Sequence, residues 1–165
     1  MTRPVSSVLE FLYRYCRPLL VYFLVFAVPS FAKATTLEEV FAGFRTCEFP
    51  NFFYAPWDSQ QKVHPYLAER GLTPYKEKDG LYYFKVKDSF FGLPVSEIII
   101  PGTWDFHSIV FDVPLAEAQK TFKRVFGNVF PPSEQADAGE APALVERFDD
   151  PNRSALYCNK VEAGW

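Results

Sequence analysis

Histidine is scarce in this chain, two in 165 residues, and cysteine nearly so, at three. No second His or Cys stands at ligand spacing from His64, so the pattern of a metal site is missing and no metal is expected. No Gly-rich phosphate loop and no calcium loop occurs, which takes away the usual sequence signs of nucleotide or Ca²⁺ chemistry and leaves no cofactor to expect. A strand-to-helix serine elbow of the hydrolase type is absent as well. A membrane-spanning helix wants about 20 apolar residues, and the run Leu19 to Ala32 offers roughly 14. Arg14 and Arg17 interrupt its extension back to Leu12.

That short run fits an export signal instead. Arg3, Arg14 and Arg17 form a basic leader, the apolar stretch follows, and Ala32-Lys33-Ala34 places small residues at the −3 and −1 positions of a signal-peptidase site. Ser30-Phe31-Ala32 serves the same chemistry, so the expected cut lies after Ala32 or after Ala34. Cys16 precedes the apolar stretch, and no Cys follows it directly, which argues against a lipid anchor. Residues 1–34 are therefore expected to be a cleaved signal peptide and 35–165 a single domain, periplasmic or secreted, with no stable membrane anchor after cleavage.

Cleavage alters the charge. It removes four of the 17 basic and one of the 20 acidic residues, leaving 13 against 19 and a net charge of −6. An acidic domain repels phosphate backbones, so nucleic acid is not an expected partner. Cleavage also removes Cys16, leaving Cys47 and Cys158, and an even pair in an oxidising compartment is expected to be bonded. Neither has a His within about fifteen residues, so a catalytic thiolate is not indicated.

The local patterns predict an α+β fold. Thr36 and Glu39 form a capping box, and Leu37, Val40, Phe41 and Phe44 repeat at helical spacing, with Cys47 extending that face. A second short helix is expected over 63–70, with Tyr66 and Leu67 packing, Pro65 near its start and Gly71 ending it. Residues 73–77 and 81–87 flank Asp79-Gly80, the dipeptide of a tight hairpin. A third strand over 95–100 carries three consecutive isoleucines, suggesting burial on both faces, and a fourth covers 104–113. The period then changes to 3.6: Pro114 starts a helix lined by Leu115, Ala118, Phe122, Val125 and Phe126, and Gly127 ends it. Residues 131–142 read as a loop. Residues 143–148, a turn over 149–152, and 153–159 make a second hairpin. The expectation is an antiparallel sheet, a four-strand meander plus a C-terminal hairpin, with helices packed on one face and one disulfide.

Chemistry has few places to sit. Strand alternation separates Ser108 from Asp105 and His107, so these three make a poor triad. His107 reads as a hydrogen-bonded structural histidine, and His64 as a helix cap or a surface residue. The carboxylate groups Glu38 and Glu39, Asp112 and Glu117, and Asp149 and Asp150 fall at helix starts or in a turn, where acids are ordinary. Asn152-Arg153-Ser154 matches the glycosylation acceptor pattern, which counts only in a eukaryote. No catalytic residue is assigned, and an enzyme is not the favoured class.

Recognition is the better expectation. Residues 49–57 hold five aromatics stiffened by Pro50 and Pro56, and Phe90-Phe91 stand adjacent at a strand junction. Phe52, Phe53, Tyr54, Trp57, Phe90 and Phe91 are the candidate binding residues, for a protein or peptide partner. A second expectation is a carrier of small apolar ligands, in a pocket lined by Phe84, Ile99, Phe111 and Phe122. A third is a small hydrolase using His107.

Overall fold

The computed structural model describes residues 34–102, 105–127, 130 and 142–160. The expected leader, Trp104 and nearly all of the expected 131–142 loop lie outside these residues. Six strands form one antiparallel sheet in the order β1-β2-β3-β4-β6-β5, where β1 is Lys76–Lys78, β2 Leu81–Phe90, β3 Leu93–Pro101, β4 Asp105–Phe111, β5 Ala143–Arg147 and β6 Asp150–Lys160. The helices are α1 (Leu37–Val40), α2 (Pro65–Glu69) and α3 (Leu115–Phe126). The meander, the C-terminal hairpin and the helices form the expected α+β fold.

Asp79 and Gly80 both have positive φ, 55° and 73°, which turns β1 into β2 in two residues. Along β2, Tyr82, Phe84 and Val86 are buried while Lys85 and Lys87 are exposed. The register carries this alternation across the sheet: Phe84, Ile98, Ile109, Leu156 and Leu144 stand in one row on the helix side. Ala118 and Phe122 of α3 pack onto that side, with the Phe122 ring 5.5 Å from Phe111. The isoleucine run is buried throughout, Ile98 and Ile100 toward the helices and Ile99 on the other face.

Several local expectations need correction. The first helix is one turn, followed by a 3₁₀ turn over Ala42–Arg45, so Cys47 does not lie on a helix. It lies two residues beyond, with φ 52°, and bonds Cys158 of β6 across a Cα–Cα distance of 5.4 Å. The tighter winding serves the aromatic cluster: Phe41 and Phe44 stack at 5.1 Å, and Phe49 meets Phe44 edge-on at 5.1 Å. The last turn is Phe148-Asp149, earlier than expected, because Arg147 pairs with Asp150 and Pro151 falls in an irregularity where it owes no ladder bond. Val125 is exposed rather than buried, at the border of the α3 stripe. Of the residues expected to line an apolar pocket, Phe84, Phe111 and Phe122 are buried on the helix side, whereas Ile99 faces the other side of the sheet.

The sheet's second face is held by Glu97. Its carboxylate accepts from the Tyr75 hydroxyl, which lies ahead of β1, and approaches Arg147 Nη1 of β5 at 4.0 Å. Three strand steps of about 4.8 Å separate β3 from β5, a gap that the long Arg147 and Glu97 side chains reach across on this face.

Candidate functional site

The aromatic loop divides into a buried and a surface half. Phe49 and Phe52 turn inward against His107, whose ring is 4.2 Å from Phe49 and whose Nε2 lies 2.7 Å from the Phe52 carbonyl. His107 is 1% exposed, and Phe53 closes on it edge-on at 5.8 Å, half-buried. The geometry gives this histidine a structural task, fastening the loop to β4. His64 does cap α2: its Nδ1 accepts from the Tyr66 N–H at 3.3 Å, and burial, opposed by Glu69, lowers its pKa.

The second half of the loop runs along the surface. The Tyr54 N–H donates to the Pro101 carbonyl at 2.9 Å, adding the chain to the end of β3, and the Tyr54 ring meets Tyr82 at 4.9 Å and Phe84 at 5.2 Å. Beyond it, the Ala55 N–H donates to Gln61 Oε1 at 3.0 Å and the Asp58 N–H to the Ala55 carbonyl at 3.0 Å, closing a bonded turn around Trp57. Trp57 lies over Gly102 and beside Tyr82, yet 59% of it remains exposed. Gly102 lets the ring lie this close: a Cβ would come within 2.4 Å of Trp57 Cη2 and push the ring away.

Phe90 and Phe91 stand elsewhere. Eight residues of β2 separate Tyr82 from Phe90, about 26 Å of extended chain. Phe90 is buried beneath Phe111 and Phe122. Phe91, with φ 49°, donates its N–H to Glu38 Oε1 at 2.8 Å and sets its ring 5.0 Å from Phe126. An apolar groove of about 390 Å³ opens there between α1 and α3, lined by Phe41, Phe44, Phe90, Phe91, Val125 and Phe126. Of the six candidates, Phe52 and Phe90 are thus core residues, Phe53 is half-buried against His107, Tyr54 and Trp57 share one surface, and Phe91 borders another.

A larger groove, about 780 Å³, was not foreseen from the residues. It opens where the sheet is twice irregular: Ser96 faces both Val86 and Lys87 of β2, and is itself the extra residue against β4. Such bulges bend strands and re-aim side chains. On one wall the Tyr66 hydroxyl donates to Asp88 at 2.9 Å and Arg70 lies 3.4 Å from the same oxygen. Burial, then the Asp88 bond, raises the Tyr66 hydroxyl well above the usual phenol value. On the other wall the Ser96 hydroxyl donates to Asp112 at 2.6 Å and accepts from Arg153 at 2.8 Å. The one local sign in the chain is Lys87-Asp88, two adjacent polar residues that interrupt the period of two.

Among the described residues, no three or more His, Cys, Asp or Glu side chains are grouped as metal ligands, and no helix is long and apolar enough to cross a membrane. Comparison with protein-family models, with curated proteins and with solved structures finds no significant match to this chain.

Proposed function

We propose that this chain is an exported, non-catalytic binding protein that engages a protein or peptide partner through Trp57 and Tyr54. The observation that carries the reading is the exposed Trp57 ring, held from beneath by Gly102 and Tyr82 and framed by a hydrogen-bonded turn. A large ring immobilised before contact adds buried area without a fresh ordering cost, which is what interface anchors provide. The Cys47–Cys158 bond is consistent with an oxidising destination. The test is a pull-down from envelope extract with the purified mature domain, run beside Trp57→Ala and Tyr54→Ala. A partner retained by wild type and weakened at least tenfold by Trp57→Ala supports the reading. Absence of any partner, or unchanged capture by both variants, overturns it.

The groove beside Phe91 favours a second reading, a carrier of small apolar ligands. Its volume of about 390 Å³ falls within the range of small-molecule pockets. Uptake of an apolar fluorescent dye that is lost in Phe91→Ser and kept in Trp57→Ala would favour this reading over the first.

A further inference from the structure

The export reading leaves two possible cleavage positions, after Ala32 and after Ala34, and the fold distinguishes them. The compact unit begins at Ala34. Ala34 itself is exposed, whereas the next residue is held at three atoms. The Thr35 N–H donates to Glu69 Oε2 at 3.1 Å, its hydroxyl donates to Glu69 Oε1 at 3.4 Å, and its carbonyl accepts from Arg70 Nη2 at 2.9 Å. Arg70 is fixed in turn, with its guanidinium 4.0 Å from the Tyr66 ring centroid and 3.4 Å from Asp88. Thr36 then caps α1, so the two residues that follow Ala34 are both tied to the fold.

We infer that the Ala34–Thr35 bond is the processing site, and that the new α-amine is received by Glu69. Hydrolysis consumes one water: its hydroxyl completes the Ala34 carboxyl group, and the Thr35 nitrogen leaves as an amine that takes up a proton. The nitrogen that donates one neutral N–H to Glu69 at 3.1 Å in the uncut chain becomes an ammonium placed to form an ion pair with it. Arg70 holds the carbonyl of the same residue, so Glu69 and Arg70 grip Thr35 at both of its backbone polar groups. A cut after Ala32 would leave Lys33 and Ala34 ahead of Thr35 and keep its nitrogen an amide. The Glu69 pocket would then gain no charge pair.

This inference rests on the export reading, and one measurement separates their failures. Intact-mass and N-terminal sequencing of the protein isolated from its exporting host is expected to show a chain beginning at Thr35. A chain beginning at Lys33 overturns the site while leaving export standing; a chain that retains the leader overturns both. The receiving role of Glu69 has its own readout in the processed protein. An α-amine-selective acylating reagent at neutral pH is expected to label Thr35 about two- to five-fold more slowly in wild type than in Glu69→Gln, the range an exposed ion pair sustains. Glu69 is largely solvent-facing, so this variant keeps its fold. Equal labelling rates would show that Glu69 does not hold the terminus.

Discussion

Replacing Gly43 by alanine tests how the chain returns from α1 to the disulfide. A Cβ at this position would stand 1.6 Å from the Glu48 carbonyl oxygen and 2.7 Å from its carbon. Comfortable carbon–oxygen contact begins at about 3.3 Å, so one of the two segments must retreat by about 1.7 Å. The obstacle is backbone, not the far end of a side chain. On one side of Glu48 lies Cys47, bonded to Cys158, and on the other Phe49, whose ring is stacked on His107 at 4.2 Å. Retreat breaks the Glu48 N–H bond to the Gly43 carbonyl, at 3.2 Å, a loss of about 1 kcal/mol. Displacing Phe49 from a filled cluster adds about 1–3 kcal/mol, and alanine's better helical propensity offsets at most about 1 kcal/mol. The expected net loss is about 2 kcal/mol, a fall of about 1 M in the urea midpoint. Gly71→Ala is the control, because that position is open to 4 Å and only its φ of 59° opposes a side chain, at about 1 kcal/mol. If Gly43→Ala unfolds no more easily than Gly71→Ala, the close approach is not a constraint.

Loss of the disulfide in the Cys47→Ser, Cys158→Ser double variant frees a loop of 111 residues; the chain-entropy limit is about 4.8 kcal/mol and about 2–4 kcal/mol is expected in urea unfolding. Wild-type protein denatured without reductant should show no reactive thiol at either position, and two would refute the clasp. Thr36→Ala removes the acceptor of the Glu39 N–H and disturbs the reciprocal bond from the Thr36 N–H to the Glu39 carboxylate, at about 1 kcal/mol; an unchanged melting curve would show that the cap is dispensable. His64 supplies an acid limb. Burial holds its folded pKa below the ordinary 6.5, so the unfolded chain takes up its proton first, and stability present above pH 6.5 falls as pH drops toward the lower folded value. Asparagine also caps helices, so His64→Asn should remove that slope while keeping α2; an identical slope in the variant would assign it to other groups.

The elements legible in the chain are those whose cause is local. A capping box needs only four residues, and Thr36 with Glu39 forms one. Asp79-Gly80 is enough for a two-residue turn because both residues tolerate positive φ. The isoleucine run and the period of 3.6 after Pro114 likewise locate β3 and α3 within a few residues. What escaped depends on partners distant in sequence. The bulge at Ser96 is decided by how β2, β3 and β4 share hydrogen bonds, and no single strand encodes that agreement. The groove there joins Asp88 to Arg70 and Asp112 to Arg153, pairs separated by 18 and 41 residues along the chain. Phe52 and Trp57 have the same local surroundings in sequence; only the arrival of His107 and Gly102 from β4 and the end of β3 buries one and leaves the other outside.

Exposure alone does not mark a binding residue, and the exposed large side chains show why. Phe148 is 107% exposed at the tip of the β5–β6 turn, and its ring stacks on none of the described residues. An aromatic in that position samples many rotamers, and a partner binding it must pay for its ordering. Val125 is exposed because it lies at the edge of the α3 stripe beside the apolar groove. Tyr75 is half exposed, but its hydroxyl is committed to Glu97 and its ring meets Tyr83 at 6.4 Å and Lys85 at 4.9 Å, so it serves the polar face of the sheet. Trp57 differs from all three. Its underside rests on Gly102, where a side chain would displace it, its flank on Tyr82, and its backbone is set by a turn closed through Gln61. The cost of ordering this ring is met in folding, before any partner arrives, which is why Gly102→Ala, whose Cβ would displace the ring, is expected to weaken capture as Trp57→Ala does while leaving the tryptophan in the chain.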